Sequence, residues 1–225
     1  MSASAAVIAE GVGTFALVFI GAGAVCMNHW SGGALGVLGI AVAHGAVFGA
    51  MIAALGRVSG GHFNPAVTVA MLSVNRTDRQ TATAYVCSQL AGAASAALVL
   101  RLLLPSEVWR AARLGAPSIT AVTVGQALVI EAVLTFFLVL AVFGAAGNSQ
   151  GGGSAAAGWG IGAVLACGML LGGPVTGAAM NPARAFGPAL LGGALDHRHV
   201  VYWLGPILGG LAASWLSANV FFVKR

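Results

Sequence analysis

The chain has 225 residues, 59% hydrophobic and 7% charged, with a mean hydropathy of +0.94. A water-soluble domain carries about 25% charged residues, so this chain lacks the charge to cover a water-facing surface, and a soluble globular fold is excluded. The net charge of +5 is ten basic residues against five acidic ones, and the basic residues are scattered without a cluster, a pattern that argues against a nucleic-acid partner.

The first apolar segment, about 5–27, follows Met-Ser-Ala-Ser without a basic leader and contains Glu10, so it reads as an uncleaved span rather than a signal peptide. With a second segment at about 34–56 it fills Gly11 to Gly56, a stretch free of Asp, Glu, Lys and Arg. A helix crosses a bilayer in about 20 residues, so that stretch holds two spans and a turn. A short stretch at about 65–74 opens on a proline and is too short to cross. Spans follow at about 80–104 and about 120–146, joined by the polar connection 105–119, which reads as a loop. The run Gly147-Asn-Ser-Gln-Gly-Gly-Gly-Ser reads as a flexible link to a fifth span at about 155–173. A second short, proline-led stretch lies at about 182–191, and a sixth span at about 199–222. Cys26, Cys87 and Cys167 sit in apolar segments with no pairwise spacing, which indicates neither a disulfide framework nor a metal site.

The two halves repeat. Glu10, Val12, Thr14, Phe15, Leu17 and Val18 recur 121 residues later as Glu131, Val133, Thr135, Phe136, Leu138 and Val139. Asn64-Pro65-Ala66 recurs 117 residues later as Asn181-Pro182-Ala183. Each unit contains an odd number of spans, so the second copy must enter the membrane inverted, and inverted repeats place a functional site near the midplane where short segments from each half meet. The expected fold is an all-α membrane protein with six transmembrane helices plus two re-entrant half-helices. It is expected to form a single transmembrane domain over 1–225, with inverted repeat units at approximately 1–113 and 114–225.

Asn is a strong helix N-cap and Pro is favoured at the first helical position, so each box starts a helix. Eight to ten residues rise roughly 12–15 Å, half of a hydrocarbon core of about 30 Å. Two such helices would meet tip to tip at the midplane. Their N-termini, each carrying roughly half a positive charge, would repel cations and hydronium. Each Asn can cap its helix through the carbonyl oxygen and donate from its amide NH2 to a solute oxygen.

The paired boxes Ser59-Gly-Gly-His-Phe-Asn64-Pro-Ala-Val-Thr and Thr176-Gly-Ala-Ala-Met-Asn181-Pro-Ala-Arg-Ala, the repeated glutamates and the six spans resemble the aquaporin (major intrinsic protein) family over essentially the whole chain. The resemblance implies a passive channel, not an enzyme, without cofactors. It would conduct water while excluding protons and ions, and would assemble as a homotetramer with one pore per subunit. Counting from the boxes, the family's outer constriction falls on His44, Met169, Ala178 and Arg184. Water-selective members usually have Phe, His and Cys at the first three, so this chain departs at all three and looks more similar to plant vacuolar-membrane aquaporins. Ala178 and Met169 imply an aperture somewhat wider and less polar than a strict water channel, which adds ammonia, hydrogen peroxide and urea as candidate solutes. His44, if it titrates near neutral pH, would make permeability pH-dependent. Glycerol facilitators usually carry Asp where Ala185 stands and Pro plus an aliphatic residue where Tyr202-Trp203 stands, so the water branch is favoured.

Glu10 and Glu131 lie inside spans, where an ionisable group is costly and marks function or a buried partner. Their symmetric placement, as in the family, implies that they accept hydrogen bonds from the backbone of the re-entrant loops. His62 is expected to fix its loop or to line the cytoplasmic pore mouth, and Cys167, about 200° around its helix from Met169, to face away from the pore. With both termini cytoplasmic, five basic residues fall inside against four outside. Orientation and a place in the cell (plasma or inner) membrane therefore rest on the resemblance. The alternatives are a glycerol, small-polyol or metalloid facilitator of the same family and, more remotely, a proton-coupled secondary transporter.

Overall fold

A computed structural model describes residues 2–147 and 155–221. The described residues are helical, with no strand among them. The helices are α1 (Ala3–Trp30), α2 (Gly36–Ser59), α3 (Pro65–Ser73), α4 (Arg79–Leu103), α5 (Ser106–Ala111), α6 (Val124–Gly147), α7 (Ala155–Thr176), α8 (Pro182–Leu191) and α9 (Val201–Leu216). A 3-10 turn, His197–Val200, leads into α9 and a π turn, Ser217–Phe221, continues it. Six helices are long and apolar enough to cross a membrane. These are the expected spans, with ends shifted by a few residues. The fifth runs through Pro174 to Thr176 rather than stopping at 173. The flexible link expected after Gly147 lies outside the described residues.

The connection 105–119 is a correction to the sequence reading: it is folded, not a plain loop. Its Pro105 precedes α5, and the guanidinium groups of Arg101 and Arg110 each lie over the Trp109 ring of α5, 4.9 Å from its centroid. Paired cation–π contacts and the burial of Trp109 and Leu114 hold this polar-looking segment against the bundle.

Helix crossings are built on small residues, because lipid gives helices no hydrophobic reason to associate and close backbone contact must supply the attraction. At the α2–α7 crossing Gly45 faces Gly162 and Gly49 faces Gly158. A Cβ on Gly158 would lie 2.5 Å from the Gly49 carbonyl oxygen, and one on Gly162 would overlap the Gly45 carbonyl. The α1–α4 and α6–α9 crossings are related by the repeat. Gly92 presses on the Gly11 backbone and Gly209 on that of Ala132, the positions 117 and 121 residues on. Large apolar side chains such as Leu38, Leu102 and Leu171 are exposed on the outside of the bundle, and Glu10, Glu131, Gln89, Asn64, Asn181 and Arg184 are buried inside it. This inside-out distribution of polarity suits a protein whose solvent is lipid.

Candidate pore

The residues before each box have left-handed backbone at matching places: Gly60, Gly61 and Phe63 in the first loop, and Gly177, Ala178 and Met180, each 117 residues on, in the second. These turns aim consecutive amide N–H groups at the two glutamates. Glu10 accepts from His62 N at 2.9 Å, Phe63 N at 2.6 Å and Ser59 Oγ at 2.6 Å. Glu131 accepts from Ala179 N at 2.9 Å, Met180 N at 2.8 Å and Thr176 Oγ1 at 2.7 Å. Both carboxylates are fully buried, and the backbone donors satisfy oxygens that would otherwise be costly there.

Each loop ends in the expected cap. Asn64 Oδ1 accepts from Ala66 N, and Asn181 Oδ1 from Ala183 N and Arg184 N, with proline as the first residue of α3 and of α8. The amide nitrogens cross over. Asn64 Nδ2 donates to the Met180 carbonyl at 2.8 Å, and Asn181 Nδ2 donates to the Phe63 carbonyl at 2.8 Å. The two half-helices are therefore tied tip to tip by reciprocal bonds. One N–H of each NH2 is taken by the opposite loop and one is left over, where the sequence reading assigned the NH2 to solute alone.

A narrow cavity connects these elements. It is lined by Asn64, Asn181, His44, Met169, Ala178 and Arg184, with Leu17, Phe48, Leu138 and Leu165 as apolar walls. Those walls also come in repeat-related pairs, Leu17 with Leu138 and Phe48 with Leu165. A roomier hollow lies beside it, and the two share Met169 and Arg184. The four residues taken from the resemblance thus converge on one place. Arg184 NH1 donates to the Gly115 carbonyl at 3.0 Å, and NH2 lies 3.1 Å from His44 Nε2. His44 Nδ1 is 2.9 Å from the Ile40 carbonyl. A carbonyl needs a donor and a guanidinium needs an acceptor, so these contacts define a neutral ring with hydrogen on Nδ1 and a lone pair on Nε2. Arg184 Nε is buried without a hydrogen-bond partner.

His62 is a loop residue rather than a wall of this cavity. Its Nδ1 lies 3.1 Å from Thr68 Oγ1 and its ring packs edge-on to Tyr85. Cys167 is exposed on the outside of the bundle, as its angular offset from buried Met169 implied, and the three thiols are free.

Sequence reasoning missed several supporting residues. Tyr85 donates to the Ser59 carbonyl and Tyr202 to the Thr176 carbonyl, each at 2.8 Å. These are the two tyrosines of the chain, and each stands 21 residues after its box asparagine, so the repeat offset alone could have found them. Gln89 was less accessible. Its Nε2 donates to Glu10 Oε2 at 2.7 Å and to Thr68 Oγ1 at 3.0 Å, but the equivalent positions in the second half are Pro206 and Ala185.

Comparison with known proteins agrees with this geometry. Residues 1–217 match the major intrinsic protein family. The chain is 38% identical over 220 residues to Aquaporin NIP1-1 of Oryza sativa subsp. japonica, covering 97% of this chain and 75% of that protein. It is 38% identical to Nodulin-26 of Glycine max, covering 97% and 78%, and 39% identical to Aquaporin-2 of Bos taurus, covering 97% and 79%. The fold matches the crystallographic aquaglyceroporin of Plasmodium falciparum with a TM-score of 0.86 at 23% identity, covering 97% of each chain. Boxes, spans, fold and relatives agree: the chain belongs to the major intrinsic protein family, that of the aquaporin channels.

Proposed function

We propose that this chain is a passive water channel that excludes protons and ions, admits small neutral solutes such as ammonia, hydrogen peroxide and urea, and turns back glycerol. The observation that carries the reading is the pairing of Asn64 and Asn181 in one cavity that hydrogen-bonded Arg184 and His44 also line. A water accepting from the spare N–H of both amides must turn its hydrogens away from the centre, which breaks a chain of proton hops. The N-terminal ends of α3 and α8 add positive potential at the same point, and Arg184 adds a fixed charge. The apolar walls offer passing water little to bind, which suits fast transit. Arg184 NH1 and NH2 each make one contact and keep a second N–H, so the guanidinium retains donors for a solute in this cavity.

The same reading covers the whole assembly. One channel domain is built from repeat units of approximately 1–113 and 114–225, with both termini cytoplasmic, in a plasma or inner membrane, as a homotetramer. The offset-matched loops, walls and crossings support the repeat, and the exposed apolar flanks of the bundle supply surface for lipid and for neighbouring subunits.

Stopped-flow light scattering on proteoliposomes tests the solute range. Water flux far above that of bare lipid, measurable ammonia and urea flux, and glycerol flux at the lipid background are expected. Small, apolar Ala178 and Met169 favour a second reading, a small-polyol facilitator, for which glycerol would move about as fast as urea. In the same assay, water flux is expected to stay flat from pH 5 to 8. Protonating His44 Nε2 would replace its bond to Arg184 with a contact between two cations, so the neutral ring persists. A wild-type profile that bends within that window and flattens in His44→Ala would contradict this.

A further inference from the structure

The cavity has a rigid wall one helical turn away from the residues around Arg184. We propose that Phe48 is a second size sieve, at the level of the two asparagines, and that it turns back glycerol where the Arg184 level alone would admit it. The proposal deepens the water-channel function and rests on it.

The depth of Phe48 follows from α2. Ile40, His44 and Phe48 are each four residues apart, so they share a face and step inward by about 6 Å at a time. Ile40 lines the roomier hollow, whereas His44 and Phe48 line the narrow cavity that also holds Asn64 and Asn181. Phe63, the residue before Asn64, fixes the level from the other side. Its ring stands edge-on to that of Phe48, with centroids 6.3 Å apart, and its carbonyl accepts from Asn181 Nδ2. The facing helix agrees. On α1, Gly13, Leu17 and Gly21 are also one turn apart, and a Cβ on Gly21 would lie 2.5 Å from the His44 ring, while one on Gly13 would overlap the Phe63 ring. Leu17, between them, lines the cavity with Phe48. Phe48 therefore stands beside the asparagine tips.

Shape and rigidity make it a sieve. Among the described residues that line this cavity, Phe48 is the one phenyl ring, and its repeat-related counterpart is Leu165. It is 1% exposed and packed in one cluster with Leu17, Leu138 and Leu165, so the ring has little free space to swing into. Phe63 gives it no way out, because Glu10 holds the Phe63 N–H and the ring fills the notch over Gly13. The walls at the Arg184 level are more permissive. Ala178 presents one methyl group, and Met169 carries an unbranched side chain that bends easily. Planar urea can pass edge-on beside a fixed ring. Glycerol is bulkier, and an apolar ring gives its hydroxyls nothing to bond to while they give up water.

The test is the glycerol-to-water permeability ratio in proteoliposomes for Phe48→Leu, Phe48→Met, Arg184→Ala and Ile52→Val. Leucine is the residue at the repeat-related position. Methionine keeps most of the volume on a chain that bends aside, so the experiment stays readable where the leucine variant loosens the bundle. Phe48→Leu is expected to raise the ratio about tenfold, the order by which a pocket discriminates one methylene, and Phe48→Met to raise it less. Arg184→Ala is expected to leave glycerol near the lipid background, because the sieve at Phe48 remains in series with it. Ile52, one turn beyond Phe48, is buried but does not line the cavity, so Ile52→Val should give the wild-type ratio. Glycerol held at the background in both Phe48 variants would overturn the proposal, as would glycerol admitted by Arg184→Ala alone. An equal rise in Ile52→Val would also overturn it, by assigning the effect to loosened packing. A wild type that passes glycerol about as fast as urea would remove the proposed solute range itself, and the sieve with it.

Discussion

Replacing Glu131 with alanine is expected to cost more than any substitution in the cavity walls. The carboxylate satisfies the amide N–H groups of Ala179 and Met180 and the hydroxyl of Thr176, all buried. Each abandoned donor costs about 1–3 kcal/mol when water cannot reach it. Three of them approach the whole margin of a typical fold, about 5–15 kcal/mol. The loop they support carries Ala178 and the cap of α8, so that part of the cavity would be lost with it. Glu10 has equivalent donors and one extra partner, Gln89, which is itself tied to Thr68. The second loop has no such partner, because Pro206 and Ala185 occupy the matching places. Glu131→Ala is therefore expected to abolish water flux and to lower the melting temperature in detergent sharply. Glu131→Gln, which keeps one carbonyl oxygen, should fall between. A Glu131→Ala protein that melts and conducts like wild type would refute the support role.

The second large effect is expected at Gly162. A valine there would drive its Cβ into the Gly45 carbonyl and to 3.1 Å from the Gly49 backbone, and neither neighbour is a side chain that can rotate away. The α2–α7 crossing must open. Overpacking of this kind typically costs about 1–3 kcal/mol. His44 adjoins Gly45 on one helix, and Met169 lies seven residues, about two turns, from Gly162 on the other, so both would move apart. Water and urea fluxes should change along with stability. Gly160→Ala on the same helix is the control. A Cβ there meets nothing within 4 Å, and alanine is the better helix former by about 1 kcal/mol, so flux should hold and melting should stay level or rise. Equal behaviour of the two variants would contradict the close approach of the two helices.

These contrasts mark how much the sequence could reveal. The spans were legible because uncharged runs of bilayer length rarely occur in a fold that faces water, and the half-helices because Asn-Pro is a local start signal that needs no tertiary information. The offset of 117 residues located both boxes, and it would have located Tyr85 and Tyr202 as well. The crossed amide bonds of Asn64 and Asn181 were not legible, since they join residues more than a hundred positions apart and depend on how the two halves dock. Gln89 lacks a counterpart, so the repeat was silent about it. The connection 105–119 misled because its composition is that of a loop. What folds it is Trp109 under two arginine guanidinium groups and Leu114 in left-handed backbone, and neither Arg nor Leu carries a local signal for that conformation. Gly115 gave no hint that its carbonyl reaches Arg184, 69 residues away.

The proposed function depends above all on Asn64 and Asn181 standing together on a wet path too narrow and too positive for ions or protons. Parallel recordings of water flux and proton flux in the same proteoliposomes address this directly. Water flux should be non-saturating, independent of ion gradients and only weakly dependent on temperature, while proton flux stays at the level of protein-free vesicles. Water flux as temperature-dependent as that through bare lipid, or proton entry that rises in step with water, would contradict it.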